Sequence, residues 1–382
     1  MDSRSIFARL SANYTSMYIF LGVMTPFWGM WLRSKGLSAS EIGILIAIPY
    51  ILKIFIAPFI SQLADKRDEY WRPLVICVGA GLFFTTCYFW ADDFWSLLIV
   101  TVLINLTMPA VVPLLETITV SQSDKNKLDY GRIRSFGSAS FIVAAIIVGW
   151  LLKSQNVDNV LWYVIASLVL LFITVLLMPR GNKKRKEIKV DQESPIKKLL
   201  SNGEFVWFLI VVGLLQVSHG VFYSMGSIYW KEMGLGEDII GLLWAIGVIA
   251  EILFFVFCGP WISKYPIALT FAVIGLMGTL RWTVLALTIS LPILFVTQLL
   301  HGLTFGASHL IAIQYISKNV KSQFAGTAQS LYSSLPLGLG MGLSTYVGGI
   351  IYEKGQGDAY LAMAFLCAVA FLMSLVRLYR RN

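Results

Sequence analysis

The sequence predicts an all-α membrane protein with twelve transmembrane helices in two pseudo-symmetric six-helix bundles. Three observations support this fold class. Of the 382 residues, 57% are hydrophobic and only 13% are charged, about half the charged share of a soluble domain. The apolar residues form runs of membrane length, and one long polar stretch divides these runs into two sets of six. This composition argues against a soluble nucleic-acid-binding protein, despite the formal net charge of +9.

Each apolar run is long enough to cross a bilayer, which requires roughly 20 residues of helix. Barrel strands would alternate apolar and polar residues, and these runs do not. The first run lacks a small-residue cleavage site, so we expect a retained helix rather than a signal peptide. The twelve spans are predicted at about 6–33, 39–63, 73–91, 94–120, 131–152, 158–179, 205–230, 238–262, 266–289, 292–316, 323–351 and 359–378.

The polar stretch is a basic linker, RGNKKRKEIKVDQESPIKKLLSNGE. We therefore predict an N-terminal bundle over 1–179, a cytoplasmic linker over 180–204 and a C-terminal bundle over 205–382. Most Lys and Arg residues lie on the linker's side of the predicted topology. By the positive-inside rule, this asymmetry predicts that both termini are cytoplasmic.

A sequence repeat relates the two halves at an offset of 198 residues. The aligned pairs include Gly36 with Gly234, Gly43 with Gly241 and Ala47 with Ala245. The same offset places Lys53 on Glu251, so two equivalent positions carry opposite charges. Similar halves of this kind are typical of transporters whose site lies between them near the middle of the membrane.

No motif for cofactor or metal chemistry is present in the sequence. The four cysteines, Cys77, Cys87, Cys258 and Cys367, lie in predicted spans without metal-site spacing. There is no phosphate-binding loop, zinc motif or catalytic triad. We therefore expect neither an enzyme nor a bound cofactor or metal, and we set aside a membrane enzyme or receptor.

Ionisable residues inside the spans are candidates for function because burying a charge in hydrocarbon is costly. Lys53 either attracts an anionic substrate or forms a structural ion pair with Glu116 or Glu251. Glu251 either exchanges protons or forms a structural salt bridge with Arg281. Glu116 follows Pro109 and Pro113, where we expect α-helical bonding to be disturbed.

Polar stripes on two spans are further candidates. Gln216, His219 and Tyr223 recur on one face of span seven, and His301 and Thr304 recur on one face of span ten. Such stripes either line water or bridge neighbouring helices. Trp28, near the end of span one, either stacks on a substrate ring or belongs to an interfacial aromatic belt.

Several of these segments resemble a known family. SQLADKRDEYWR, between spans two and three, resembles the cytoplasmic loop motif of the major facilitator superfamily, although Ser61 replaces its opening glycine. DYGRIRSFGS, at 129–138, resembles the start of helix five in the oligosaccharide:proton symporters. PFWGMWL, LLQVSHGVFYSMGSIYW and LWAIGVIAE resemble the bacterial 3-phenylpropionate permeases nearly end to end.

The resemblance implies roles for residues that match the symporter pattern. Glu116 and Arg134 match the substrate-binding Glu–Arg pair. Glu251 matches a helix-eight carboxylate that joins binding to coupling, and Arg281 and His301 match the helix-nine arginine and helix-ten histidine.

One departure changes the expected coupling scheme. Thr304 stands where the lactose permeases have a proton-carrying glutamate. This difference makes lactose a poor candidate substrate and leaves coupling to Glu251, His301 or Glu116.

The resulting hypothesis is a monomeric, proton-coupled transporter of a bacterial inner membrane that takes up a small aromatic carboxylate such as 3-phenylpropionate by alternating access. Its partners would be the substrate, protons and lipid. The alternatives are an oligosaccharide or nucleoside:proton symporter and a drug or metabolite exporter. The proposed substrate-binding residues are Lys53, Glu116, Arg134, His219, Tyr223, Arg281 and Trp28, and the proposed proton-coupling residues are Glu251, His301 and Glu116.

Overall fold

The computed structural model describes residues 2–180, 195–262, 264–288 and 290–380. Most of the predicted linker lies outside these residues, and its described end contains the short helix Pro195–Leu200. The described residues form twelve long helices and no β-strand, which confirms the predicted fold class. The helices are α1 Ser3–Ser34, α2 Ala39–Arg67, α3 Trp71–Trp90, α4 Phe94–Asn126, α5 Tyr130–Leu152, α6 Asn159–Leu176, α7 Gly203–Glu232, α8 Glu237–Cys258, α9 Ile267–Leu287, α10 Leu291–Asn319, α11 Ser322–Lys354 and α12 Gln356–Tyr379.

The chain is a multi-pass membrane protein. Eleven of the described helices, α2 to α12, have the length and composition of membrane spans. Large apolar side chains cover outward faces, and on α2 Phe55 and Phe59 are 66% and 62% exposed. The 32 residues of α1 make about 48 Å of helix, which also suffices to span. Its polar side chains face protein, since Asn13 and Ser16 contact Thr174 of α6 at 3.1 and 2.7 Å.

Local sequence determines where several helices begin. Asp2, Asp93 and Asp129 precede α1, α4 and α5 and accept hydrogen bonds from the first-turn amides. The Ser96 hydroxyl and the backbone N–H groups of Ser96 and Trp95 donate to the Asp93 carboxylate. These bonds stabilise the charged form and hold the pKa of Asp93 below its usual range.

Two equivalent glycines support the sequence repeat. Gly36 after α1 and Gly234 after α7 have φ angles of +81° and +90°. They are the described glycines with positive φ, a conformation that other L residues adopt only with strain. Their separation is the 198-residue offset of the repeat, so the same turn leads into α2 and into α8.

The chain divides into two compact units that do not coincide with the two halves of the sequence. The first unit comprises Met1–Leu37, Ile51–Ile188 and Leu235–Ala245. The second unit comprises Ser38–Tyr50, Lys189–Gly234 and Ile246–Asn382. The start of α8 thus belongs to the first unit, and the start of α2 belongs to the second.

Close glycine contacts explain where these helix starts pack. In the first unit, a Cβ on Gly241 of α8 would overlap the carbonyl oxygen of Ala145 on α5. In the second unit, a Cβ on Gly43 of α2 would lie 2.6 Å from the carbonyl oxygen of Thr345 on α11. Small residues allow such close approach of helix backbones.

A polar contact accompanies each of these crossings. Lys153, directly after α5, forms a 2.8 Å salt bridge with Asp238 at the start of α8. At the repeat-related position on α2, the backbone and hydroxyl groups of Ser40 both donate to Glu353 of α11 at 2.8 Å. We call these two contacts the α5–α8 latch and the α2–α11 latch.

Candidate functional site

Several candidate residues lie where a helix departs from α-helical bonding. The regular bonding of α7 is interrupted at His219. In α8, the turn Phe254–Cys258 is π-helical and follows Glu251 closely, and in α10 the π-helical turn Gly302–Ala307 follows His301 directly. Such turns leave backbone groups less regularly paired and are frequent at functional sites.

Arg281 of α9 lies in the second unit and is fully buried. Its Nη1 donates to Thr304 Oγ1 at 2.8 Å, while Nε and Nη2 have no hydrogen-bond partner. The guanidinium lies over the rings of Trp282 and Phe222, at 4.4 and 5.1 Å from their centroids. The described partners of Arg281 include no carboxylate, so the predicted salt bridge with Glu251 is not formed.

Two histidines complete the surroundings of Arg281. His301 Nδ1 accepts from Arg281 Nη1 at 3.3 Å. His219 Nδ1 lies 3.0 Å from the Leu215 carbonyl and donates to it, and its Nε2 lies 3.3 Å from Thr304 Oγ1. Because its Nδ1 accepts from a guanidinium, the His301 imidazole is neutral here. This arrangement accounts for Thr304, which supplies a neutral acceptor where the symporter pattern has a carboxylate.

Glu251 lies at a close crossing of α8 and α10. A Cβ on Gly302 would overlap the Ala250 carbonyl oxygen, and one on Gly306 would lie 3.2 Å from Glu251 Cγ. The two glycines, four residues apart, let α10 approach the half-buried Glu251. This crossing places the carboxylate beside the π-helical turn that carries Thr304.

The polar stripe of α7 faces α10. Gln216 donates to Ser308 at 2.9 Å, and the ring of Tyr223 lies 6.2 Å from that of His301. Tyr223 also lies in the electrostatic range of Glu251. The structure thus brings His219, Tyr223, Glu251, Arg281 and His301 together in one unit.

A second polar cluster lies in the first unit, around Glu116 and Arg134. A short 3₁₀ turn, Met108–Ala110, interrupts α4 where the two prolines predicted a disturbance. Glu116 follows on α4 and accepts a hydrogen bond from Tyr130. Arg134, which is exposed, lies close to Tyr130, Glu116 and Tyr18.

The tyrosines of this cluster were not predicted. Tyr14 and Tyr18, one turn apart on α1, stack at 6.3 Å, and Tyr14 also meets the ring of Tyr130 at 6.4 Å. Gly137 leaves room for Tyr18, since a Cβ there would lie 2.8 Å from its ring. The four-residue spacings from Tyr14 to Tyr18 and from Tyr130 to Arg134 are the sequence signals that identify this surface.

Lys53 lies on the side of α2 that faces away from lipid. It is about 200° around the helix from Phe55 and only about 40° from Ala57, which is 7% exposed. The Lys53 side chain is nevertheless exposed and has no hydrogen-bond or ion-pair partner among the described residues. The alternative of a structural ion pair is therefore not seen among the described residues.

Trp28 lies apart from the polar cluster of its own unit. It is 8% exposed and packs against Trp31 and Tyr88 at 4.5 and 5.0 Å. Ten residues of helix, about 15 Å, separate it from Tyr18. A contact between Trp28 and substrate remains a proposal. The described residues contain no group of three or more side chains placed to hold a metal ion.

The fold and the membrane-embedded charges define a major facilitator transporter. Residues 7–362 match the MFS_1 like family, and the chain belongs to that family. It is therefore a transporter and not an enzyme.

Similar proteins include transporters with different cargo. The chain is 26% identical to a probable 3-phenylpropionic acid transporter of Escherichia coli, over 95% of this chain and 96% of that protein. It is 24% identical to the maltose permease of Geobacillus stearothermophilus, over 97% and 93%. The crystal structure of the nucleoside transporter NupG superimposes with a TM-score of 0.85 at 17% identity, covering 97% of this chain and 98% of that one.

Proposed function

We propose that this protein takes up a small aromatic carboxylate, such as 3-phenylpropionate, together with protons. The observation that carries the proposal is Lys53, an exposed residue on the face of α2 opposite Phe55 whose side chain has no described partner. An intramembrane cation of this kind is costly unless an anion or water compensates it. A carboxylate substrate supplies the anion. Uncharged sugars and nucleosides do not require a cation in their binding site.

The second unit supplies a further positive charge and aromatic surface. Arg281 is held by Thr304 and His301, and two of its nitrogens, Nε and Nη2, have no hydrogen-bond partner. Its field favours an anion nearby, because it has no carboxylate partner among the described residues. Phe222 and Trp282 flank the guanidinium, and Tyr223 is the less buried aromatic residue of the same cluster.

Glu251 is the proposed proton carrier. It is half-buried beside Tyr223 and the π-helical turn of α10. Protonation would neutralise the carboxylate. Release of the proton on the other side of the membrane would restore the negative charge. In the structure, His301 Nδ1 accepts a hydrogen bond from Arg281 Nη1. Protonation of Nδ1 would therefore require that hydrogen bond to break first.

The proposed setting is a bacterial inner membrane with both termini cytoplasmic. The distribution of Lys and Arg supports this orientation. In the proposed cycle, movement of the sequence halves 1–179 and 205–382 opens the substrate site to one side of the membrane and then to the other. One monomer suffices for this cycle.

Uptake of radiolabelled 3-phenylpropionate into proteoliposomes tests the proposal. We expect accumulation driven by an inward proton gradient and its collapse when a protonophore is added. Folded protein that accumulates no substrate would refute the aromatic-acid assignment. Accumulation that a protonophore leaves unchanged would refute proton coupling, and proton-driven efflux from oriented vesicles would favour export.

The cluster around Glu116 supports a second candidate, an oligosaccharide or nucleoside:proton symporter. Glu116, Arg134 and the hydroxyls of Tyr18 and Tyr130 suit a substrate with several hydroxyl groups. Competition by maltose or nucleosides against labelled 3-phenylpropionate distinguishes the two candidates. Strong competition would favour this second candidate.

A further inference from the structure

A small cavity lies in the second unit where α8 ends, α9 begins and α10 ends. Its volume is about 190 Å³. Pockets for drug-sized ligands are larger, roughly 300–1,000 Å³. Three isoleucines line it together with the polar residues Tyr265, Thr270, Gln314, Tyr315, Lys318 and Asn319. The cavity therefore has both apolar and polar walls and room for one small polar group.

The chain segments that line the cavity carry basic residues and no acidic ones. The segment 252–352 contains four Lys or Arg residues and no Asp or Glu. Lys318 is exposed and forms no ion pair with any described residue. The cavity is also bounded by the first turn of α9, whose amides lack a side-chain cap, so their partial positive charge adds to that of Lys318.

Aromatic residues flank the cavity in the manner of a membrane interface. Trp261 and Tyr265 are 61% and 59% exposed. The Lys264 ammonium lies 4.1 Å from the Trp261 ring centroid. Exposed Trp and Tyr beside lysines are typical of the headgroup level of a bilayer, where basic pockets between helices bind anionic headgroups.

We propose that this cavity binds the phosphate of an anionic phospholipid headgroup. Lys318 supplies the charge, and the Tyr265 hydroxyl donates a hydrogen bond to a phosphate oxygen. The isoleucines contact the glycerol and the first acyl carbons. The assignment is independent of the transported substrate, because none of these residues belongs to the candidate transport site.

Native mass spectrometry of the purified full chain tests the proposal. The protein is titrated with phosphatidylglycerol or with phosphatidylcholine of the same acyl chains. We expect one phosphatidylglycerol to bind preferentially and Lys318→Gln to weaken it about tenfold, the value of one lost charged hydrogen bond. Lys321→Gln is the matched control, since it removes the same charge nearby without lining the cavity. Thr270→Leu fills the cavity without changing charge and should also weaken binding.

Three outcomes would overturn the proposal. Equal binding of both lipids would show that the cavity does not recognise an anionic headgroup. Equal losses in Lys318→Gln and Lys321→Gln, with Thr270→Leu unchanged, would show a diffuse surface charge rather than a site. Displacement of the lipid by millimolar inorganic phosphate would make a soluble phosphate the ligand. Thermal unfolding of each variant confirms that it remains folded.

Discussion

Replacement of Lys53 by glutamine tests the proposed carboxylate contact directly. The change removes the charge and keeps a polar side chain of comparable size. Because Lys53 has no described partner and is exposed, its loss leaves no buried group unpaired. We therefore expect a folded protein with a specific defect toward anionic substrates.

The expected magnitude follows from the exposure of the lysine. Two unit charges 4 Å apart attract by about 4 kcal/mol at an effective dielectric constant of about 20. Water competes for an exposed ammonium, so the net value falls toward that of a charged hydrogen bond, about 1.5–3 kcal/mol. At tenfold per about 1.4 kcal/mol, the KM for 3-phenylpropionate should rise about 10- to 100-fold.

The assay compares an acid with its neutral amide. Uptake of labelled 3-phenylpropionate gives KM, and 3-phenylpropionamide, added as a competitor, gives an inhibition constant. In Lys53→Gln the constant for the amide should remain nearly unchanged. Lys35→Gln is the matched control, because Lys35 lies at the end of α1 and pairs with Asp92 at 3.7 Å.

Two results would refute the reasoning. Equal losses for the acid and the amide would assign Lys53 a structural role. An unchanged KM for the acid and an unchanged inhibition constant for the amide would show that Lys53 does not contact the substrate.

Three further predictions concern coupling, the first-unit cluster and a latch. Glu251→Gln should abolish proton-driven accumulation while preserving substrate exchange between equilibrated compartments, and loss of exchange as well would contradict a coupling role. Tyr130→Phe, which removes a hydrogen bond to Glu116, should weaken competition by maltose or nucleosides if that cluster binds hydroxyls. If these compounds compete in the wild type and compete equally well in Tyr130→Phe, that role is contradicted. Lys153→Asp should lower the melting temperature in detergent by placing two carboxylates together, and adding Asp238→Lys should restore it, within the roughly 1 kcal/mol that an exposed pair contributes. No rescue by the exchange would show that the α5–α8 latch does not stabilise the protein.

The helices of this protein were predictable from sequence because a bilayer imposes a length. Runs of about 20 apolar residues correspond to the described helices, with ends displaced by a few residues. Gly36 and Gly234 were matched by the repeat, and both adopt the positive φ that makes glycine useful there. The interruption of α4 at Met108–Ala110 likewise follows from its prolines.

The partners of the charged residues were not predictable in the same way. Spacing along α7 and α10 placed His219, His301 and Thr304 on polar faces. It did not show that Arg281 would bond to Thr304 and His301 in place of Glu251. That choice depends on how α9 packs beside α10.

The sequence by itself determined the membrane fold, the polar faces and which charges lie inside the spans, because each depends on local composition and period. Only the tertiary structure decided that Tyr18 and Tyr130 surround Arg134, and that Arg281 is buried without a carboxylate. Helix crossings made these choices, at glycines such as Gly137, beside Tyr18, and Gly278, beside Thr304, that leave room for the neighbouring helix. Contacts of this kind join residues far apart in the chain, so the local periodicity of the sequence does not reveal them.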